Sequence, residues 1–545
     1  MIGTLLVLAA LGAAPQAQTH DHAAAGAPRE AVLLDGLGDT HHAIATRNAA
    51  AQKFFDQGLT LIFAFNHEEA ILAFRKAAAL DPASPMPHWG IALALGPNIN
   101  LDVDPAREKA AYDAVQQAVR LARRASPVER AYVQALAKRY SNNPNADLKA
   151  LAADYAAAMR ALTVTYPDDL DAATLFAESL MDLRPWQLWD KDGAPAPDTL
   201  EIIRVLESVL ARNPRHVGAN HYYIHATEAS LSPERGLAAA KRLETLVPAA
   251  GHLVHMPAHT YIRTGNYAGA VEANARAADV DRKYIEATHA GGFYPAMYYN
   301  HNLDFLATAA MMTGQYAVAR KAADELVANT TPMLADMAML EPFAAKTLYV
   351  LLRFSKWDEV LALPAPAPTS VLLTALSHYG RGVAKAMKGQ TAEAEAARTA
   401  FQAARRAIPA DTAWGYNSAT AVLTVAEAAL EARIAGARGD LTAAVTAWRA
   451  AAAAEDALNY NEPSDWYYPV RESLGAVLLR ANRFPEAREV FRQDLERNPE
   501  NARSLLGLAQ ALAGTYPEDP NILGLRGRLS RAWENADVQL NVTDY

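Results

Sequence analysis

The 545-residue chain contains no cysteine, which excludes thiolate metal ligands, cysteine nucleophiles and disulfides in one step. Any metal ion must therefore be held by His, Asp, Glu or backbone groups. Its 51 Lys and Arg and 60 Asp and Glu are interspersed, giving a formal net charge of -9, and no basic run could neutralise a row of phosphates. Nucleic acid is not an expected partner. After its first residues the sequence has no stretch of 18 apolar residues free of charge, so no transmembrane segment is expected there. Walker-type phosphate loops, Gly-x-Ser-x-Gly elbows and His-Glu-x-x-His motifs are also missing.

Strand-like alternation of Val, Ile and Thr is scarce too, whereas alanine is abundant and apolar residues recur at spacings of three and four, the helical period. The fold class is therefore all-α. With 51% hydrophobic residues the chain can bury a large core, but its length calls for several domains or a repeat architecture. Residues 1–17 run apolar from Ile2 to Ala14 and then turn to small residues, which reads as a secretory signal and implies a periplasmic or secreted protein. Cleavage after Ala17 would expose Gln18-Thr19-His20, a potential square-planar nitrogen set.

A 34-residue period organises the rest. A repeat beginning at Ala51 places Phe54, Gly58, Leu61, Ala70, Phe74, Ala77 and Pro82 in a fixed pattern. A second, beginning at Tyr468, places Leu474, Gly475, Leu478, Ala487, Phe491 and Pro499 in the same one. This pattern resembles the tetratricopeptide repeat (TPR), in which small residues let two helices approach, large apolar ones fill the seam and proline stops the second helix. Weaker copies begin near Val217, Gly251, Asn300, Glu341, Ala375 and Val425, with a partial one at Ala502. The resemblance implies a helix-turn-helix superhelix, an α-solenoid, with a concave binding face.

The expected organisation is a signal at 1–17, a leader at 18–50, and an N-terminal and central block at 51–362 with a histidine-rich groove at 217–334. A proline-rich linker at 363–370, a C-terminal block at 371–515 and a terminal helix and tail at 516–545 follow. Between about 105 and 216 the repeat is hard to phase, yet Asp104-Pro105 and Ser126-Pro127 with Glu129 read as helix N-caps. The chain is also similar to a group of secreted bacterial TPR proteins without an assigned activity, which share stretches such as "HYYIHATEAS", "GHLVHMPAH" and "WYYPVRESLG".

Five of the fifteen histidines, His221, His225, His252, His255 and His259, fall within residues 221–259, where an even spread would put about one. Phasing repeats at Val217 and Gly251 puts His221 and His225 at positions 5 and 9 of one first helix, and His255 and His259 at the same positions of the next. His252 and His301 each take position 2, and Glu228 position 12. In the family that this chain resembles, those positions face the concave groove. Histidines at i and i+4 share a helix face and suit chelation. Glu228 lies about 10.5 Å of helix rise from His221, too far to share one ion easily. The better ligand set takes His221 and His225 from one helix and His252, His255 or His259 from its neighbour.

Pro257 predicts that the second helix begins near Val254 or Met256, leaving His252 and His255 on the entry loop. Zinc is the first expectation for such a set, with copper, iron or nickel as alternatives. Tyr222, Tyr294, Tyr298, Asn302, Trp466 and Tyr467 are candidate ligand-binding residues, and Glu228 or Asp304 candidate general bases. His41, His42 and His88 read as packing. The expected function is a binding or scaffold protein for a peptide, protein or small ligand in its groove, with a histidine-held metal; the alternative is a metal-dependent hydrolase.

Overall fold

A computed structural model describes residues 29–541; the signal and the His20 site lie outside them. Helix follows helix in antiparallel pairs that keep the register of the sequence repeat: Ala49–Phe63 with His67–Leu80, Val217–Glu228 with Leu237–Leu246, Asn300–Met312 with Tyr316–Thr330, Val371–Met387 with Thr391–Ala407, and Val470–Arg480 with Phe484–Arg497. The one sheet among the described residues is a hairpin pairing Ala413–Trp414 with Asn417–Ser418. No helix among them is long and apolar enough to cross a membrane.

Local chemistry sets these boundaries. Asp104 accepts from the backbone amides of Ala106 and Arg107, and Ser126 and Glu129 form a reciprocal capping box, so the orphan amides of both helices are satisfied where the sequence predicts. Within a pair the seam is set by size. A Cβ on Gly58 would lie 2.5 Å from the Phe74 ring, and one on Gly475 2.3 Å from Phe491, so glycine is what admits each ring.

Pro257 does not act as predicted. Gly251–His255 and Pro257–Thr264 are both helical, and Met256 between them has helical dihedrals of -49° and -35°. The Met256 amide donates to His252 and that of His259 to Met256, so the proline removes one donor without ending the helix. The helix begins at Gly251, and His252 and His255 ride on it rather than on an entry loop.

One large hydrophobic cluster extends from Ala31 through Ala323 to Val350, and a second from Ala345 to Ala511. The solenoid curls until its last repeats touch its middle. Arg503 donates to the Met311 carbonyl at 3.1 Å, Asp537 accepts from the amides of Tyr316 and Ala317, and a buried ion pair joins Arg353 to Glu472. This curl encloses a cleft of about 1390 Å³ between the 185–196 loop, the 262–267 turn and the 455–471 segment.

Candidate metal centre

The six predicted histidines come together, but in the interior rather than on an open groove. The histidines at 221, 225, 252, 255 and 259 are buried; His301 is half-buried. The Phe63–Phe65 turn, the Trp186 loop and a π-helical turn at Tyr294–Tyr299 fill the concave face around them. Phe65, with φ of 55°, stacks on His225 and His252.

Two trios form. His221, His225 and His252 each offer a nitrogen within 4.8 Å of the others, and so do His255, His259 and His301. The first trio draws on adjacent helices, because His252 sits one turn before His255 and faces back across the seam. The Nε2 atoms of His221 and His252 are 3.1 Å apart, and those of His255 and His259 2.8 Å.

Four of the six rings have their other nitrogen committed to an acceptor. His221 Nδ1 meets the Phe63 carbonyl at 2.6 Å, which can only accept, so Nδ1 carries the proton. His255 Nδ1 meets Asn274 Oδ1 at 2.6 Å, and the Asn274 amide is oriented by its own donation to Ala270. His225 Nδ1 meets Glu228 Oε1 at 2.7 Å, and His259 Nδ1 pairs with the second oxygen of the same carboxylate. In their neutral forms all four therefore turn an Nε2 lone pair inward. The His225 Nε2 and His252 Nδ1 atoms are buried without a hydrogen-bond partner, and the His259 Nδ1–Glu228 contact is a close ion pair rather than an aligned hydrogen bond.

Electrostatics favour the neutral ring at five of the six histidines and the charged ring at His259. Burial, reinforced by neighbouring histidine charges, holds His221, His252 and His255 well below the usual imidazole range, and burial first of all takes His301 down to about 3. Burial would also raise Glu228, but the charges and hydrogen bonds of His259 and His225 hold it down to about 2. The same carboxylate raises His259 against its burial. An uncharged imidazole is the ligand form for zinc, copper, iron or nickel, and carboxylate or carbonyl partners on Nδ1 are the usual outer support of metal-bound histidine.

The remaining predicted residues divide. Tyr294 donates to Asp281 at 2.9 Å and accepts from the His252 amide, and Asn302 donates to the other Asp281 oxygen at 2.7 Å. Tyr298 stands edge-on to His252, while Tyr222 packs against His221 and Phe63. These four surround the histidines. Trp466 and Tyr467 belong to the second hydrophobic cluster and line the large cleft. Asp304 is ion-paired with Lys346 at 2.5 Å. His42 binds Asp171 at 2.8 Å and packs edge-on to Tyr132, and with Asp169 and Asp171 it forms a third group of possible ligand atoms, apart from the other six histidines.

Sequence reasoning missed Phe63, Phe65, Asn274 and Asp281, which carry no local signal, and did not single out Trp186 as a wall between cleft and histidines. Trp186 lines the cleft and also a void of about 20 Å³ shared with His225.

No family model and no curated protein matches this chain. Among solved structures it is similar to a human IFIT1 dimer with m7Gppp-AAAA, at 12% identity and a TM-score of 0.33, over 90% of this chain and 91% of that one. It is similar to yeast Tom70 at 12% and 0.31, over 88% and 100%. It is also similar to the Cut9-Hcn1 hetero-tetramer of APC/C at 9% and 0.29, over 92% and 96%. With helix pairs in the 34-residue register and each seam phenylalanine under its glycine, the chain is an all-α solenoid of the tetratricopeptide-repeat type.

Proposed function

We propose that this chain is an extracytoplasmic binding or scaffold protein whose interior holds a histidine-ligated transition metal, zinc first, with copper, iron or nickel as the other candidates. The observation that carries the metal is the commitment of four Nδ1 atoms to Phe63, Asn274 and Glu228. It turns ring nitrogens toward one another within each trio, an arrangement that a metal ion would satisfy.

Binding is favoured over hydrolysis by the state of the two candidate bases. Glu228 is engaged by two histidines and Asp304 by Lys346, so neither carboxylate is free to take a proton from water. The cleft of about 1390 Å³ lined by Trp186, Tyr416 and Tyr460 has the size and aromatic character for a peptide, a protein segment or a small ligand. The apolar start of the sequence supports the extracytoplasmic placement, and N-terminal sequencing of the exported protein tests it.

Elemental analysis of tag-free protein, beside a His221→Ala/His225→Ala variant, tests the metal. The parent should carry stoichiometric metal and the variant less; equal content in both would remove these two residues as ligands.

A further inference from the structure

We infer that the two trios hold two ions as one dinuclear centre with a bridging hydroxide, an inference that rests on the metal reading above. Each trio is a complete three-nitrogen set. Two imidazole nitrogens on one tetrahedral ion, with bonds of 2.0–2.1 Å, stand roughly 3.3 Å apart. The Nε2 pairs at 3.1 and 2.8 Å need to open by only a few tenths of an ångström to reach that spacing.

The trios are also in contact. The His225 and His259 rings lie 5.4 Å apart between centroids, and those of His252 and His255 5.8 Å. One carboxylate, Glu228, supports a ring from each trio, so the two sets are oriented together, as ions that share a ligand require.

Each ion has three protein donors and an open fourth position. The His225 Nε2 and His252 Nδ1 atoms have no hydrogen-bond partner, so the first trio is short of hydrogen-bond donors. Two divalent ions would bring four positive charges to a buried place where Glu228 is the carboxylate in contact with the ligand rings. An anionic bridge lowers that charge, and metal-bound water reaches hydroxide near neutral pH.

The competing arrangement uses protons alone. A cationic His259 would donate to both Glu228 and His255, and His252 would donate to His221 through Nε2.

The test uses the full chain stripped by a chelator and titrated with Zn(II), counting the equivalents that survive desalting, and then loaded with Cu(II) for electron paramagnetic resonance. Two zinc equivalents per chain are expected, and a two-copper form whose signal integrates to less than one spin because the bridge couples the ions. A His255→Gln/His259→Gln variant should keep one equivalent and, with copper, one full spin, its helix content checked by circular dichroism. Should that variant not fold, the parent titration still decides. No retained zinc would overturn the metal reading itself, with the proton network in its place. One equivalent would leave that reading standing and overturn the pair, and two independent spins would overturn the bridge.

Discussion

The ring of Trp186 stands edge-on to that of His225, with 5.4 Å between centroids and an angle of 82°. Its backbone is left-handed, with φ of 59°, its indole nitrogen donates to Asn100 at 3.1 Å, and its ring also meets Tyr416 at 5.3 Å. Strain of this kind persists where the surroundings hold it. Here it keeps an aromatic wall between the cleft and the histidines. Replacing Trp186 with Ala should open that wall, and a chromophoric chelator should then strip bound metal at least about tenfold faster with helix content unchanged. An unchanged stripping rate would mean that exchange takes another route.

Glu228 supports one ligand of each trio, so its neutral isostere should be costly. In Glu228→Gln the amide can accept from one histidine Nδ1 but must offer an N–H to the other, reversing that ring's tautomer and putting a proton on the Nε2 that faces the site. Metal affinity is expected to fall about 10- to 100-fold, measured by competition with a chelator of known strength. A loss smaller than twofold would count against an outer supporting role.

Asp281, buried behind His252, offers a test by pH. Burial raises its carboxyl from 3.8 to about 7, against the hydrogen bonds from Tyr294 and Asn302 that lower it. Between those two values the unfolded chain has released its proton while the folded chain retains it, so folding loses stability as pH rises from about 4 to 7. The loss is complete above the folded value. Asp281→Asn removes this dependence, and the variant should gain on the parent by up to roughly 4 kcal/mol between pH 4 and pH 8. Thermal melts of both proteins at each pH check this; a constant difference would show that Asp281 ionises normally.

The repeat seam makes a prediction of its own. A methyl on Gly58 would sit 2.5 Å from Phe74, and overpacking of this kind costs about 1–3 kcal/mol. Gly58→Ala should lower the melting temperature, and a second change, Phe74→Leu, should cost less in that background than in the parent, because the smaller side chain relieves the clash. If the two losses simply add, the contact does not limit packing.

Several parts of this molecule could be read without coordinates. The Gly58, Ala70, Phe74, Pro82 spacing and its copy from Gly475 to Pro499 mark helix pairs, because close packing of two helices needs small residues at fixed turns. Asp104 and Ser126 mark helix starts, because orphan amides need acceptors there. The register even places His221, His225, His255 and His259 at equivalent positions. Helix continuity through Pro257 was not legible, since whether a missing hydrogen bond ends a helix depends on what else packs around it.

The sequence by itself determined the all-α class, the repeat and the gathering of histidines, since each follows from a period along the chain. Tertiary structure alone decided the rest. His252 joins the trio of the preceding helix, Phe63 and Asn274 supply Nδ1 acceptors from 158 and 19 residues away, and Trp186 and Tyr416 close over the result. Those contacts link residues with no fixed spacing, set by how the solenoid curls and by which rings fit inside it. A linear pattern records a helix face; the angle between successive repeats, which turns that face into an enclosed site, comes from side-chain packing across the whole superhelix.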